Sequence, residues 1–352
     1  MPSPELSARE AALAPPRAYG GPPASGLLRV EPEDFVVEEE LGFAPAGSGA
    51  HLLLRVRKRN ANTQWVAREL ARLAGCRPAE VGYAGLKDRR ALALQWYSVP
   101  RPRNAVDWQA VCAEDYEILE VHAHTRKLPR GAHAGNGFAV RIRAAGGAGA
   151  ELAAHLAGRL EAIAGRGVPN YFGPQRFGRD AGNLQRLGAP QRLSPQQRGF
   201  ALSAARSVLF NASLAARVTD GSWERLQAGD VANLDGRGSV FRVDAVDEAL
   251  SGRCRRLEIH PTGPLWGEGS PPSAGEVREL ETEIAARYPD AAAACTAARM
   301  AQERRSLRLR VYELRCEVEA QAVRLHFRLA RGGFATAVLA ELIGAQSADS
   351  ST

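Results

Sequence analysis

The sequence predicts an α+β chain of two domains, on three observations. Its 352 residues exceed the span of about 100–200 residues common for one domain. Short apolar or alternating runs that read as strands crowd residues 27–143 and return from Ser306 onward. Between them, from about Gly165, helical periodicity and loops rich in Arg, Pro and Gly take over.

The elements follow in order. Residues 1–24 are rich in Ala, Pro, Gly and Ser with little apolar periodicity, and are expected to form a disordered leader. Leu27 to Val30 begins a strand, and Glu31 to Glu39 turns and alternates into a second, with Phe35 at the turn exit, where an aromatic ordinarily fills core. His51 to Arg57 is a third strand. Asn62 has the side chain of an N-cap, and Val66, Leu70 and Leu73 give Thr63 to Ala74 helical spacing. Leu92 to Val99 reads as a buried strand, and 116–124 and 137–143 as two more. Glu151 to Ala164 is an amphipathic helix, broken at Gly165 and Gly167, where a domain boundary is expected. Pro195 to Val218 is a long helix whose Arg198, Arg206 and Arg217 face either phosphate or solvent. Residues 229–241 read as strand, turn and strand, 261–267 as a rigid loop, and 276–288 as a helix. Strands return at 307–311, 315–318 and 323–329, before a closing helix from Ala337 to Ile343 and a disordered tail.

Composition narrows the function. Lys plus Arg number 46 against 39 Asp plus Glu, a formal charge of +7, and most of the basic residues are Arg. That balance suits a polyanionic partner, most simply nucleic acid. No run approaches the roughly 18 apolar residues of a membrane span, and no secretory signal opens the chain. The five cysteines are scattered without a CxxC pair, which favours a reducing cytoplasm over a disulfide framework or a cysteine-based zinc site. His122, His124 and His133 lack carboxylates or cysteines at ligand spacing, so no metal is expected. No Walker-type loop or dinucleotide fingerprint occurs, and no cofactor is expected.

The chemistry concentrates at Gly82-Tyr83-Ala84-Gly85-Leu86-Lys87-Asp88-Arg89-Arg90. Two glycines make a tight loop that a ligand can approach, and the strand from Leu92 makes it rigid. Asp88 is a lone carboxylate among Lys87, Arg89 and Arg90, cations that favour its ionised form and suit it to act as nucleophile or base. The same pattern is met by a turn aspartate in surface salt bridges. A basic, glycine-rich loop at 126–138, including Arg130, ends in Asn136 and Phe138 and suits phosphate contact and base stacking, or a solvated hairpin tip. Residues 168–179 mix Tyr171, Phe172 and Phe177 with Arg176 and Arg179, the stacking and phosphate-pairing residues of RNA-binding loops.

Several separated blocks together resemble the tRNA pseudouridine synthase D family. They are Lys58-Arg59-Asn60-Ala61-Asn62-Thr63, Gly85-Leu86-Lys87-Asp88-Arg89, Gly135-Asn136-Gly137-Phe138, Val168 to Gly178, Leu202 to Ser207 with Leu209-Phe210-Asn211, Gly236-Arg237-Gly238-Ser239 and Gly333-Phe334-Ala335-Thr336. Each is weak alone; their joint order over about residues 26–344 is specific. The resemblance implies a cytoplasmic isomerase that converts a uridine of tRNA, typically uridine 13 of the D-arm, to pseudouridine, with tRNA as partner and without cofactor, metal, membrane or obligate protein partner. It implies a pseudouridine-synthase catalytic domain, with a mixed or antiparallel sheet and flanking helices, interrupted by an inserted α/β TRUD domain. The expected division is a leader at 1–24, catalytic segments at 25–166 and 307–345, the insert at 167–306 and a tail at 346–352. Residue by residue, the resemblance makes Asp88 the catalytic aspartate. Phe35, Asn136 and Phe334 then line the substrate pocket, Phe138 stacks on the target base, and Arg29 pairs with the carboxylate. Lys87, Arg89, Arg130, Arg176 and Arg179 are expected on the RNA backbone. Where the family usually has threonine this chain has Ala93, so a hydroxyl near the active loop is missing. A non-catalytic RNA-binding module would not need the carboxylate beside a polyanion, and a hydrolase would want a second carboxylate or a metal.

Overall fold

The structure, a computed structural model, describes residues 6–188 and 193–347. The chain divides into two units, each assembled from separated segments. A sheet unit comprises Pro23–Gly158, Tyr312–Gly332 and Ile343–Thr352; a helical unit comprises Met1–Pro22, Arg159–Val311 and Gly333–Leu342. The fold is α+β.

In the sheet unit, ten strands build one mixed sheet among the described residues. They are β1 (Ala24–Leu28), β2 (Phe35–Glu40), β3 (His51–Arg59), β4 (Gly82–Tyr83), β5 (Leu92–Pro100), β6 (Tyr116–His124), β7 (Gly135–Ala144), β8 (Tyr312–Glu319), β9 (Ala322–Ala330) and β10 (Ile343–Ser347). The main order is β8-β9-β7-β2-β5-β3-β6, with β1 joining β7 and β10, and β4 joining β5. Pairing is antiparallel except for β2 with β5 and β1 with β10.

Register sorts side chains onto faces, because paired residues point the same way and neighbours along a strand point oppositely. Val37 pairs with both Phe138 and Ala93, Glu39 with Asn136, and Phe35 with Val140. Phe138 pairs with Phe327, and Lys58 with Ala93. Phe35, Glu39, Lys58, Ala93, Gln95, Asn136 and Phe138 therefore share one face. The helix Thr63–Ala74 buries Val66, Leu70 and Ala71 against Leu54, Val56 and Tyr97. Its start is fixed by Asn62, whose Oδ1 accepts the N–H groups of Gln64 and Trp65, and its end by Gly75 at φ 64°. Full burial of Val66 and Leu70 stabilises this packing by about 1.5–3 kcal/mol each.

In the helical unit, Pro195–Thr219 runs 25 residues behind a Ser194–Gln197 capping box. Its buried residues pack with Phe172, Phe177, Trp223 and Ile284. The expected disordered leader is corrected here: Ala8–Leu13 is a helix with a Ser7–Glu10 capping box, and Ala11 and Ala12 are in the core. Alanine methyls give little apolar periodicity, yet they let this short helix approach closely enough for Asn211 Nδ2 to donate to Ala11 O at 3.0 Å. Two further expectations change. Residues 259–265 are a strand, not a loop, and a second helix, Pro289–Ala297, follows Gly275–Arg287. Of the expected tail, Gln346 and Ser347 continue β10, and 348–352 lie outside the described residues.

Candidate active site

The loop between β4 and β5 is held from beneath by buried polar groups. Gln95 Nε2 donates to Gly85 O at 2.7 Å, and the Lys87 N–H donates to Thr63 Oγ1 at 3.0 Å. Thr63 Oγ1 and Tyr97 OH each donate to Gln95 Oε1 at 3.0 Å, so the supporting amide is itself oriented. Lys58 Nζ donates to Asp88 O and to Ala61 O, both at 2.8 Å. Lys87 Nζ meets Glu39 Oε2 at 2.6 Å, with both side chains buried. Burial pushes the Glu39 carboxyl up, against the opposing pull of Lys87. Burial also lowers Lys58 to about 8, a shift that Asp88 opposes and Lys87 reinforces.

Asp88 itself remains about one-fifth exposed at the top of this support. Arg29 Nη1 lies 2.8 Å from Asp88 Oδ2, and the Arg90 N–H donates to Oδ1 at 3.2 Å. Arg29 sits at φ 56°, a left-handed conformation uncommon for a side-chain-bearing residue. Its guanidinium carbon is 4.3 Å from the Phe35 ring centroid, which orients the charge toward the carboxylate. Phe35 in turn meets Phe138 edge to face at 6.0 Å, and Phe138 stacks on Phe327 at 5.2 Å. Asn136 is buried, and among the described residues its Oδ1 has no hydrogen-bond partner. Asn136 and Phe138 lie on β7, which begins at Gly135, two residues before the expected strand from 137, so Asn136 is within the strand, and the sheet register fixes their direction. Phe334 belongs to the helical unit, 6.2 Å from Phe172 and with the Arg305 guanidinium carbon at 5.6 Å.

A family model described as tRNA pseudouridine synthase D (TruD) matches residues 17–190 and 183–342. The chain belongs to this family. A tRNA pseudouridine synthase D of Nitrosococcus oceani is 44% identical over 350 residues, 94% of each chain. One of Pseudomonas aeruginosa is 45% identical over 335 residues, 93% of each. A crystal structure from Methanosarcina mazei that carries the TruD designation has a TM-score of 0.74 at 22% identity, over 97% of this chain and 98% of its own, and shows the shared fold.

Within this family member, the basic residues expected on RNA divide. Lys87 is a correction: its ammonium is committed to buried Glu39, because an unpaired carboxylate there would be costly, and it does not face solvent. Arg89 is exposed, and exposed Arg130 stacks on Tyr83 with its guanidinium carbon 3.7 Å from the centroid. In the helical unit, Arg179 is exposed, while Arg176 donates to Ser203 Oγ at 2.8 Å and lies 5.1 Å from the Phe172 centroid. Arg217, left between phosphate and solvent, is buried in a two-bond pair with Asp230. The three noted histidines have separate surroundings: His122 meets Glu120, His124 accepts the Ala46 N–H and stacks on Phe43, and His133 is half-buried beside the active loop.

Sequence reasoning missed Lys58 and Gln95. A signal existed: the chain has three lysines, Lys58, Lys87 and Lys127, among 46 basic residues. Two of them are buried under the Asp88 loop. A compact ammonium fits between main-chain carbonyls where the planar fork of Arg does not. At Ala93 no hydroxyl stands opposite Lys58, and main-chain oxygens supply the acceptors instead.

Proposed function

We propose that this chain is a tRNA pseudouridine synthase that isomerises uridine 13 of the D-arm, with Asp88 as the nucleophile or base. The observation that carries the reading is the partly exposed Asp88 carboxylate, paired with Arg29 and with its main chain fixed from below by Lys58, on a loop over the sheet face of Phe35, Phe138 and Asn136.

The reaction breaks the N1–C1′ bond, turns the uracil and forms a C5–C1′ bond; the C5 proton leaves and N1 gains one. Asp88 either attacks the sugar or base or removes a sugar proton, and the Arg29 guanidinium stabilises whichever carboxylate form is not bonded to substrate. A detached uracil must be kept from water and from diffusing away. The Phe138 ring offers a stacking face worth about 1–3 kcal/mol, comparable with the few kcal/mol of taking a base out of its stack. The unpartnered Asn136 Oδ1 is an acceptor for the uracil N3–H, and buried polar groups of this kind favour the base that satisfies them. The exposed arginines, Arg89 and Arg130 of the sheet unit and Arg179 of the helical unit, supply phosphate contacts. By resemblance, Phe334 contributes to retaining the base, and Phe334→Ala is tested in the same assay.

Tritium release from tRNA labelled with [5-³H]uridine tests the reading. Asp88→Asn is expected to abolish release while tRNA binding persists; undiminished release removes Asp88 from the chemistry. Carbodiimide mapping of the product tests the position, and a stop at another uridine refutes uridine 13.

A further inference from the structure

Leu86, two residues before Asp88, is 65% exposed, more than Val318 at 56% or Phe200 at 49%. A lone exposed leucine on a compliant surface needs no explanation. This one is not on a compliant surface. The carbonyl of Gly85 before it is bound by Gln95, the N–H of Lys87 after it by Thr63, and the Lys87 ammonium by buried Glu39. With both neighbours anchored to buried groups, the side chain cannot turn inward without breaking that support. The exposed side chains that follow are cationic, Arg89 and Arg90. An isolated apolar post beside two cations is a poor docking patch for a protein. It suits nucleic acid, where charge engages phosphates and an apolar side chain enters between bases.

We infer that Leu86 is a wedge that enters the base stack of the RNA as the target uridine leaves it, filling the vacated gap while the nucleoside reaches Asp88. The inference rests on the tRNA reading above. It explains why an apolar group is held outward at the reactive loop: opening a stack is unfavourable, and a preorganised side chain that replaces the lost stacking reduces that barrier.

The test uses the full chain, a tRNA transcript whose modified uridine has been mapped, and 2-aminopurine beside that uridine as a reporter of unstacking. Leu86→Ala is expected to slow single-turnover pseudouridine formation by about 10–100-fold and to lower the fluorescence rise by a similar sense. Binding of tRNA should stay within about twofold and the urea midpoint should not move measurably, since the side chain is mostly exposed. Leu86→Met, apolar and of similar length, should return the rate to within about threefold of the parent. An abasic site next to the uridine opens the stack in advance, and there Leu86→Ala should come within about threefold of the parent. A parental rate for Leu86→Ala on intact tRNA overturns the wedge, and so does an equal loss on the abasic substrate. The fluorescence arm is repeated in Asp88→Asn, where base opening is read without chemistry. Failure of the parent to form pseudouridine would then refute the proposed function, while the Leu86-dependent fluorescence still decides the wedge.

Discussion

Among the arginine–aspartate pairs of the two units, Arg217–Asp230 in the helical unit and Arg29–Asp88 in the sheet unit are built in opposite ways. Arg217 and Asp230 are 2% and 0% exposed and make two bonds, at 2.9 and 3.1 Å. Most of the remaining polar capacity is used: Arg217 Nη2 donates to Ser222 O and Arg225 O, and Asp230 Oδ2 accepts the Gln227 N–H. Arg29 and Asp88 are about a quarter and a fifth exposed, make one contact at 2.8 Å, and set Arg29 at φ 56°. The first pair closes a turn and is inaccessible to any ligand. The second leaves a carboxylate reachable, with strain in its partner, which is the arrangement the proposed function asks of Asp88.

Breaking the closed pair should have the largest effect on folding. Arg217→Ala strands Asp230 in the core and is expected to remove about 3–5 kcal/mol from the stability of the helical unit, read as a shifted urea midpoint. Asp88→Asn should leave the same midpoint within about 0.5 kcal/mol. A large shift for Asp88→Asn with little for Arg217→Ala would invert the comparison. Next in size is the pair beneath the loop. Lys87→Met should destabilise by about 3 kcal/mol because Glu39 is then buried without its countercharge, keeping only the Trp96 N–H. Adding Glu39→Leu should recover most of that loss, as a double-mutant cycle measures. Full additivity would mean the two side chains are not coupled.

The difference between the pairs also marks what the sequence disclosed. Asp88 stood out because a carboxylate between cations on a glycine loop is a local pattern, and the resemblance named Arg29, which pairs with it, Phe35, which lies under Arg29, and Asn136 and Phe138 on the same sheet face as Phe35. The sheet was legible wherever strands alternate. Direction was not: Lys87 and Arg89 look alike in the sequence, and only the third dimension sends one into Glu39 and the other to solvent. Arg217 misled for the same reason, since its partner Asp230 is on a later turn. The helix at Ala8–Leu13 stayed hidden because its buried surface is alanine. Proline masked the strand Ile259–Leu265, whose Pro261 and Pro264 argue against a strand interior by local rules.

A smaller effect separates the two regions by pH. His133, beside the active loop, is lowered to about 4, first by burial and then by the charges of Lys87 and Arg331. The unfolded side chain titrates near its ordinary 6.5. Above that value both states are neutral and the stability is complete. As pH falls from 6.5 toward 4, the unfolded chain takes up a proton that the native state refuses, so stability is lost. At pH 5 the loss is about 1 kcal/mol relative to neutral pH, the full shift being reduced by solvent screening of the half-exposed ring. His133→Asn should flatten that dependence, seen as urea midpoints at the two pH values. An unchanged slope would assign the acid sensitivity to other groups.

A small change in stability is also expected at Arg29, where opposing contributions nearly balance. Replacing it with Gly removes an ion pair exposed enough to be worth at most about 1 kcal/mol. The cation–π contact over Phe35 adds about 0.5–1 kcal/mol at such a site. Against these stands the φ of 56°, which is unstrained for Gly and costs a side-chain-bearing residue about 1–3 kcal/mol. The terms nearly cancel, so Arg29→Gly should move the urea midpoint by no more than about 1 kcal/mol in either direction. Tritium release should nevertheless fall about tenfold or more, because the carboxylate loses its oriented countercharge. Arg29→Lys keeps the charge but has no planar face to lie on Phe35, and its rate should fall between the two. A loss of stability as large as that from Arg217→Ala would mean that this pair too is a strut, and that the strained arginine is tolerated for folding rather than for chemistry.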